Sequence, residues 1–302
     1  MSNLMQQLEI GLKNSGFSLT IGSVNHLNDL RQDLEKPFKA GLIGKTFFQE
    51  RLSDFIFTPD EYNGKLNSII VTAAPQTQQE TIFWIQGKAH HFFIPPTYSN
   101  QSDNEIEKII LDTIEPYGFS ITPAIIPLKI AAVRLGLARY GRNNITYCEG
   151  MGSYFRLKAF LSDYPVYEDH WHEFELIQQC ENCNACLQSC PTGAIRSERI
   201  LLQSDKCLTY HNERPGEFPS WIEKSWHNCL IGCLKCQTVC PMNNKIDIRP
   251  NKAVEFSEEE TMEFLNAVDE QNLPGSVVTK LKELSLFEDW PLLARNLRVM
   301  LR

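Results

Sequence analysis

The sequence has no apolar run approaching the ~18–20 residues that cross a bilayer, so no membrane-spanning helix is expected. The N-terminal stretch Met1-Ser2-Asn3-Leu4-Met5 has neither a basic region nor twin arginines, and the expectation is a cytoplasmic protein. Basic residues are in short supply: 29 Lys plus Arg stand against 37 Asp plus Glu, for a net charge of −8. That balance excludes a global positive field for nucleic acid and leaves only a local basic groove. Low-complexity tracts are missing, and no repeat stands out beyond paired cysteine motifs. With 42% hydrophobic and 22% charged residues, the 302-residue chain has the apolar content for one large core plus one or two small modules.

Cysteine is confined to one region. Of ten cysteines, only Cys148 lies outside 180–240. Such density in a chain without an export signal points to metal rather than disulfides. Cys180-x2-Cys183-x2-Cys186-x3-Cys190-Pro191 matches the bacterial ferredoxin run, in which three thiolates hold one [4Fe–4S] cube and the fourth reaches a second. Zinc ribbons instead pair cysteines in separated knuckles. A second run, Cys229-x3-Cys233-x2-Cys236-x3-Cys240-Pro241, follows an isolated Cys207. Two cubes take eight thiolates and the segment offers nine. A regular run would start at position 230, which is Leu230, so Cys229 is the better candidate for the spare. Spacing alone leaves Cys207 against Cys229 open.

Around this segment, Leu4, Leu8 and Leu12 predict a helix over 2–17 that stops at Gly16, opening an α/β domain. Residues 66–74 and 81–85 read as strands. Asp103 is placed as the N-cap of a helix carrying Ile106, Ile109, Ile110 and Ile114. A further helix runs through Ile130, Val133, Arg134 and Leu137, and Arg139 to Asn144 reads as a polar, ligand-facing loop. Residues 163–174 connect to the cysteine segment, and helices are expected from Ser257, over 276–286 and over 291–301. The implied division is an α/β domain over 1–172, a ferredoxin-like double-cluster domain over 173–250 and a helical tail over 251–302.

The order of elements resembles the epoxyqueuosine reductases, cobalamin-dependent enzymes of queuosine-tRNA synthesis related to the reductive dehalogenases. The resemblance rests on Arg134-Leu135-Gly136-Leu137-Ala138-Arg139-Tyr140-Gly141-Arg142-Asn143, on Gly152-Ser153-Tyr154-Phe155-Arg156-Leu157 with Asp163-Tyr164-Pro165, and on Gly232 to Pro241 after the first cysteine run. It implies a base-off cobalamin in the N-terminal domain, with electrons passing from a ferredoxin- or flavodoxin-type donor through two [4Fe–4S] clusters to the corrinoid. It also implies that Cys180, Cys183, Cys186 and Cys240 hold one cluster, that Cys190, Cys207, Cys233 and Cys236 hold the other, and that Cys229 is spare. Tyr140 and Arg142 take the catalytic positions, while Gly141, Asn143 and Ser153 take the cofactor-binding ones.

Two departures separate the chain from that family's pattern. Aligning Lys129 with the family lysine puts Thr122 where the proton-donating acid belongs, and a threonine is no general acid at neutral pH. The C-terminal helical repeats shrink to about three helices. The leading expectation is therefore a cytoplasmic corrinoid and iron–sulfur reductase of a small or nucleotide-like substrate. An electron-transfer protein serving a corrinoid held elsewhere is an alternative; epoxyqueuosine reductase itself is another, with tRNA not favoured as partner. His90 and His91 point to opposite strand faces. Cys148 reads as a small buried hydrophobe and Trp171 as packing.

Overall fold

A computed structural model describes residues 2–62, 65–198, 201–250 and 252–301. Its strands are β1 Ser18–Ser23, β2 Ser68–Pro75, β3 Gln79–Ile85, β4 Lys88–Ile94, β5 Ile121–Pro123, β6 Arg139–Tyr140, β7 Thr146–Tyr147, β8 Phe155–Ser162 and β9 Ala253–Phe256. The chain divides into two compact units. One comprises Met1–Pro75, Gln101–Asn184 and Ile195–Asp205; the other comprises Gln76–Asn100, Ala185–Ala194 and Lys206–Arg302. None of the described helices is long and apolar enough to cross a membrane.

The first unit is built on an antiparallel sheet in the order β1-β2-β8-β5. Alternation along its central strands sorts the side chains into two layers. Ile70, Ala74 and Phe160 pack with Leu8, Leu12, Ile106 and Ile110, from helices Ser2–Asn14 and Gln101–Ile114. Ile69, Val71, Ala73, Ala159 and Leu161 pack with Leu27, Leu30, Ala131 and Val133, from helices Leu27–Lys39 and Leu128–Arg134. Cover on both faces is why β2 reads as a continuous apolar run. Asp103 lies inside its helix rather than at the cap. Its carboxylate takes the Arg156 fork at 2.7 and 3.0 Å, which ties helix to sheet. Arg134, 9% exposed, forks onto Asp33 at 2.7 Å on both oxygens and donates to the His172 carbonyl at 2.8 Å, which fixes the segment leading to the cysteines.

In the second unit β3 lies between antiparallel β4 and parallel β9. Phe83 stacks on Phe256 with centroids 4.5 Å apart, and Phe264, Leu230, Val277, Leu293 and Leu297 complete the core. The helices Glu258–Asn266, Gly275–Glu283 and Trp290–Met300 contribute Phe264, Val277, Leu281, Leu293, Ala294 and Leu297 to it, the first opened by a capping box between Ser257 and Glu260. These units are not the three consecutive stretches 1–172, 173–250 and 251–302. The β3–β4 hairpin leaves the N-terminal stretch because β3 pairs with β9 and the Phe93 carbonyl accepts the Leu230 N–H. The architecture is mixed α/β, with a cysteine segment of very short helices and a helical C-terminal stretch.

Candidate metal centre

Residues 139–147 form a tight hairpin rather than an open loop: β6 pairs with β7, and Gly141 and Asn143 are buried. Gly141 is required by packing, since a Cβ there would lie 2.6 Å from the Tyr147 ring and 2.8 Å from Asn143 Oδ1. The Asn143 amide is spent inside the turn, Nδ2 donating to the Tyr147 hydroxyl at 2.9 Å and Oδ1 accepting from Ile145 N at 3.2 Å. Lys129 Nζ reaches the Asn144 carbonyl at 3.3 Å.

This hairpin grips the first cysteine. Ile177 N donates to the Tyr140 carbonyl at 3.0 Å, and Arg142 Nη2 and Nε donate to the Cys180 carbonyl at 2.7 and 3.3 Å. A third bond runs from Arg142 to the Glu181 carbonyl at 3.4 Å. Arg142, given a catalytic position by resemblance, is engaged by the Cys180 turn. Burial, and then the charge of Asp33, hold the Tyr140 phenol far above its ordinary range, so it stays protonated. Ser153 is buried, at 3% exposure. Of the residues given to a corrinoid by resemblance, Gly141 brings no side chain and the Asn143 amide is engaged within the turn.

In the second unit, helix Ala185–Ser189 carries Cys186 and helix Lys235–Thr238 carries Cys236; Ser189 Oγ donates to the Lys235 carbonyl at 3.3 Å. Cys207 stands at the N-cap of helix Leu208–Asn212. Burial pushes the Cys207 thiol up to about 11, helped by Cys233 and opposed by the Thr209 N–H. Cys236 is driven well above its usual range by burial and then by Cys233, Cys207, Cys186 and Cys190. Those five thiols therefore share one neighbourhood. Cys229 is 1% exposed and is also raised by burial and by Cys233. Cys240 is buried, while Cys180 and Cys183 belong to the first unit.

All ten cysteines are free thiols, and among the described residues no three His, Cys, Asp or Glu side chains are set around one ion. The donor set fits a polynuclear iron–sulfur group. Burial alone opposes thiolates, whereas a bound metal core deprotonates its ligands outright. Sequence reasoning missed Asn228, whose Nδ2 donates to Cys233 Sγ at 3.2 Å. It also missed His227: both ring nitrogens are buried without a partner, and burial, then the charge of Arg295, lowers it to about 4. The register of the cysteine run gives no sign of either. Of the remaining histidines, His91 pairs with Glu80 at 2.7 Å. Cys148 is buried as expected, and Trp171 stacks on His26 at 4.0 Å.

The family described as a 4Fe-4S double cluster binding domain matches residues 179–243. Among curated proteins, the epoxyqueuosine reductase of Leadbetterella byssophila is 31% identical over 143 residues, 47% of this chain and 45% of that protein. That of Aliivibrio fischeri is 31% identical over 151 residues, covering 48% and 39%. The chain thus spans about half the length or less of these relatives. The epoxyqueuosine reductase of Streptococcus thermophilus superimposes on 99% of this chain and 81% of its own, with a TM-score of 0.70 at 18% identity. An epoxyqueuosine reductase bound to an epoxyqueuosine-modified tRNA stem loop matches to the same extent, with a TM-score of 0.70 at 19% identity. The chain is epoxyqueuosine reductase-like in fold and carries a double-cluster segment.

Proposed function

We propose that this protein is an iron–sulfur oxidoreductase of the epoxyqueuosine reductase type, acting on epoxyqueuosine in tRNA. One observation carries the reading: residues 179–243 match a 4Fe-4S double cluster binding domain within a fold that superimposes on an epoxyqueuosine reductase at a TM-score of 0.70. In the proposed assignment Cys190, Cys207, Cys233 and Cys236 hold one [4Fe–4S] cluster, and Cys180, Cys183, Cys186 and Cys240 hold the other. Each cube supplies one-electron transfer at low potential. Two such carriers suit the removal of an epoxide oxygen, which takes two electrons and two protons and releases water. The chain's own residues half-bury seven of these thiols, bury Cys240 and pin the Cys180 turn through Arg142. A cobalamin enters by the sequence resemblance alone. An external low-potential donor completes the scheme.

The net charge of −8 supplies no global field for tRNA. The relatives' substrate supports tRNA nonetheless, because a net charge does not describe a local groove. The test supplies epoxyqueuosine-containing tRNA, cobalamin and a low-potential reductant, and looks for queuosine by mass spectrometry. No turnover with both clusters loaded would reject the substrate. A second reading, a related reductase with another substrate, is favoured by Thr122 on β5, where the resemblance calls for an acid. Turnover that persists in Thr122→Ala would remove that argument.

A further inference from the structure

The surplus thiol has a place in the cluster's surroundings that is not ligation. We propose that Cys229 and Asn228 form a positioning relay that sets the reduction potential of the cluster held by Cys190, Cys207, Cys233 and Cys236, by fixing an N–H donor on the Cys233 sulfur. The proposal rests on the two-cluster reading above.

Four hydrogen bonds define the orientation of the Asn228 amide. Its Oδ1 accepts the Leu234 backbone N–H at 3.0 Å. A backbone N–H can only donate, so the oxygen is assigned, and the atom 3.2 Å from Cys233 Sγ must be Nδ2. The second amide hydrogen goes to the Trp226 carbonyl at 3.1 Å. Turned over, the amide would set oxygen against both the Trp226 carbonyl and the sulfur. The remaining lone pair on Oδ1 takes the Cys229 S–H at 3.2 Å. Cys229 is thereby a donor that helps hold the amide, with its own sulfur directed at Asn228.

An N–H donor on a ligating sulfur stabilises the reduced, more negative cluster and so raises its potential. Loss of the donor lowers it. The measurement is EPR-monitored potentiometry of anaerobically reconstituted full-length protein, after iron and sulfide analysis. Asn228→Ala should keep both cubes and disfavour reduction of this cluster by about tenfold, equivalent to ~59 mV for one electron. The other cluster serves as internal reference and should not move. Cys229→Ala should shift the same potential in the same direction by less, and Cys229→Ser, whose hydroxyl still donates to Oδ1, should restore it.

Iron content separates the two levels of inference. Wild-type protein without two cubes defeats the cluster reading. Two cubes with an unchanged potential in Asn228→Ala defeats the relay. Should Asn228→Ala lose iron, the Cys229 pair decides: a fall in Ala reversed in Ser supports the relay, and equal potentials in the two overturn it.

Discussion

Strand β2 of the first unit buries Ile69, Ile70, Val71, Ala73 and Ala74 to 1% exposure or less, with apolar partners on both faces. The helices beside Cys186, Cys207 and Cys236 in the second unit run only five, five and four residues, and the three thiols are half-buried. Helices that short have little stability of their own in water. Half-buried thiols add little beside an aliphatic layer and favour a metal-bound state. The first unit carries its own driving force, while the short cysteine-bearing helices would gain order from a bound cluster. Their neighbours β3, β9 and the C-terminal helices need none, since Phe83, Phe256 and Phe264 form an ordinary core.

Iron removal should break this contrast open most widely. Protein prepared anaerobically should hold about eight iron and eight sulfide. Chelation should then abolish hydrogen-exchange protection over 185–194 and 206–243, while β2 and β8 keep theirs. Equal protection with and without iron would show that the segment folds unaided, and stoichiometric zinc without sulfide would remove the premise.

The converse perturbation is Phe160→Ala. Phe160 is fully buried against Leu8, Leu12 and Ile110, so truncation should cost about 3–5 kcal/mol, read as a lowered unfolding midpoint at unchanged iron content. A loss below about 1 kcal/mol would mean that this layer collapses around the cavity or was never tight. A smaller effect belongs to Arg142→Gln, which removes a charged fork from the Cys180 and Glu181 carbonyls. Hydrogen bonds from charged groups are worth about 1.5–3 kcal/mol. The loss should appear as faster exchange confined to 180–183, with the global midpoint held.

The sequence was most legible where one periodicity serves one purpose. Strands β2 and β3, the opening helix and the capped helix after Ser257 all follow from apolar spacing and a cap. Strand β8 escaped because Arg156 and Lys158 interrupt its apolar run; they lie opposite Asp103 and Glu107, a pairing that only the fold creates. Parallel pairing of β3 with β9 joins positions 80 and 253, beyond the reach of any local pattern. The cysteine register could be counted, whereas the role of Asn228 depends on where Leu234 N points. The resemblance puts Arg142 in a catalytic position, and no local pattern shows that its guanidinium reaches the Cys180 carbonyl.

The last test turns on His227, which lies against Phe218 in the second unit with both ring nitrogens shut off from water. Burial, then the charge of Arg295, lowers it from 6.5 to about 4. Between those values the unfolded chain holds a proton that the folded chain does not. Stability is therefore complete above pH 6.5 and drains away as pH falls toward 4. The ring edge is partly exposed, so the full shift is not realised, and between pH 7 and pH 5 the effect should be roughly 1 kcal/mol. His227→Phe keeps the aromatic contact and removes the titration. Anaerobic thermal scans at one fixed rate should show the wild type losing ground to this variant as pH drops. A difference that stays flat across that window would mean the imidazole gains a proton as readily in the fold as in the open chain, and would place water or a partner at its nitrogens.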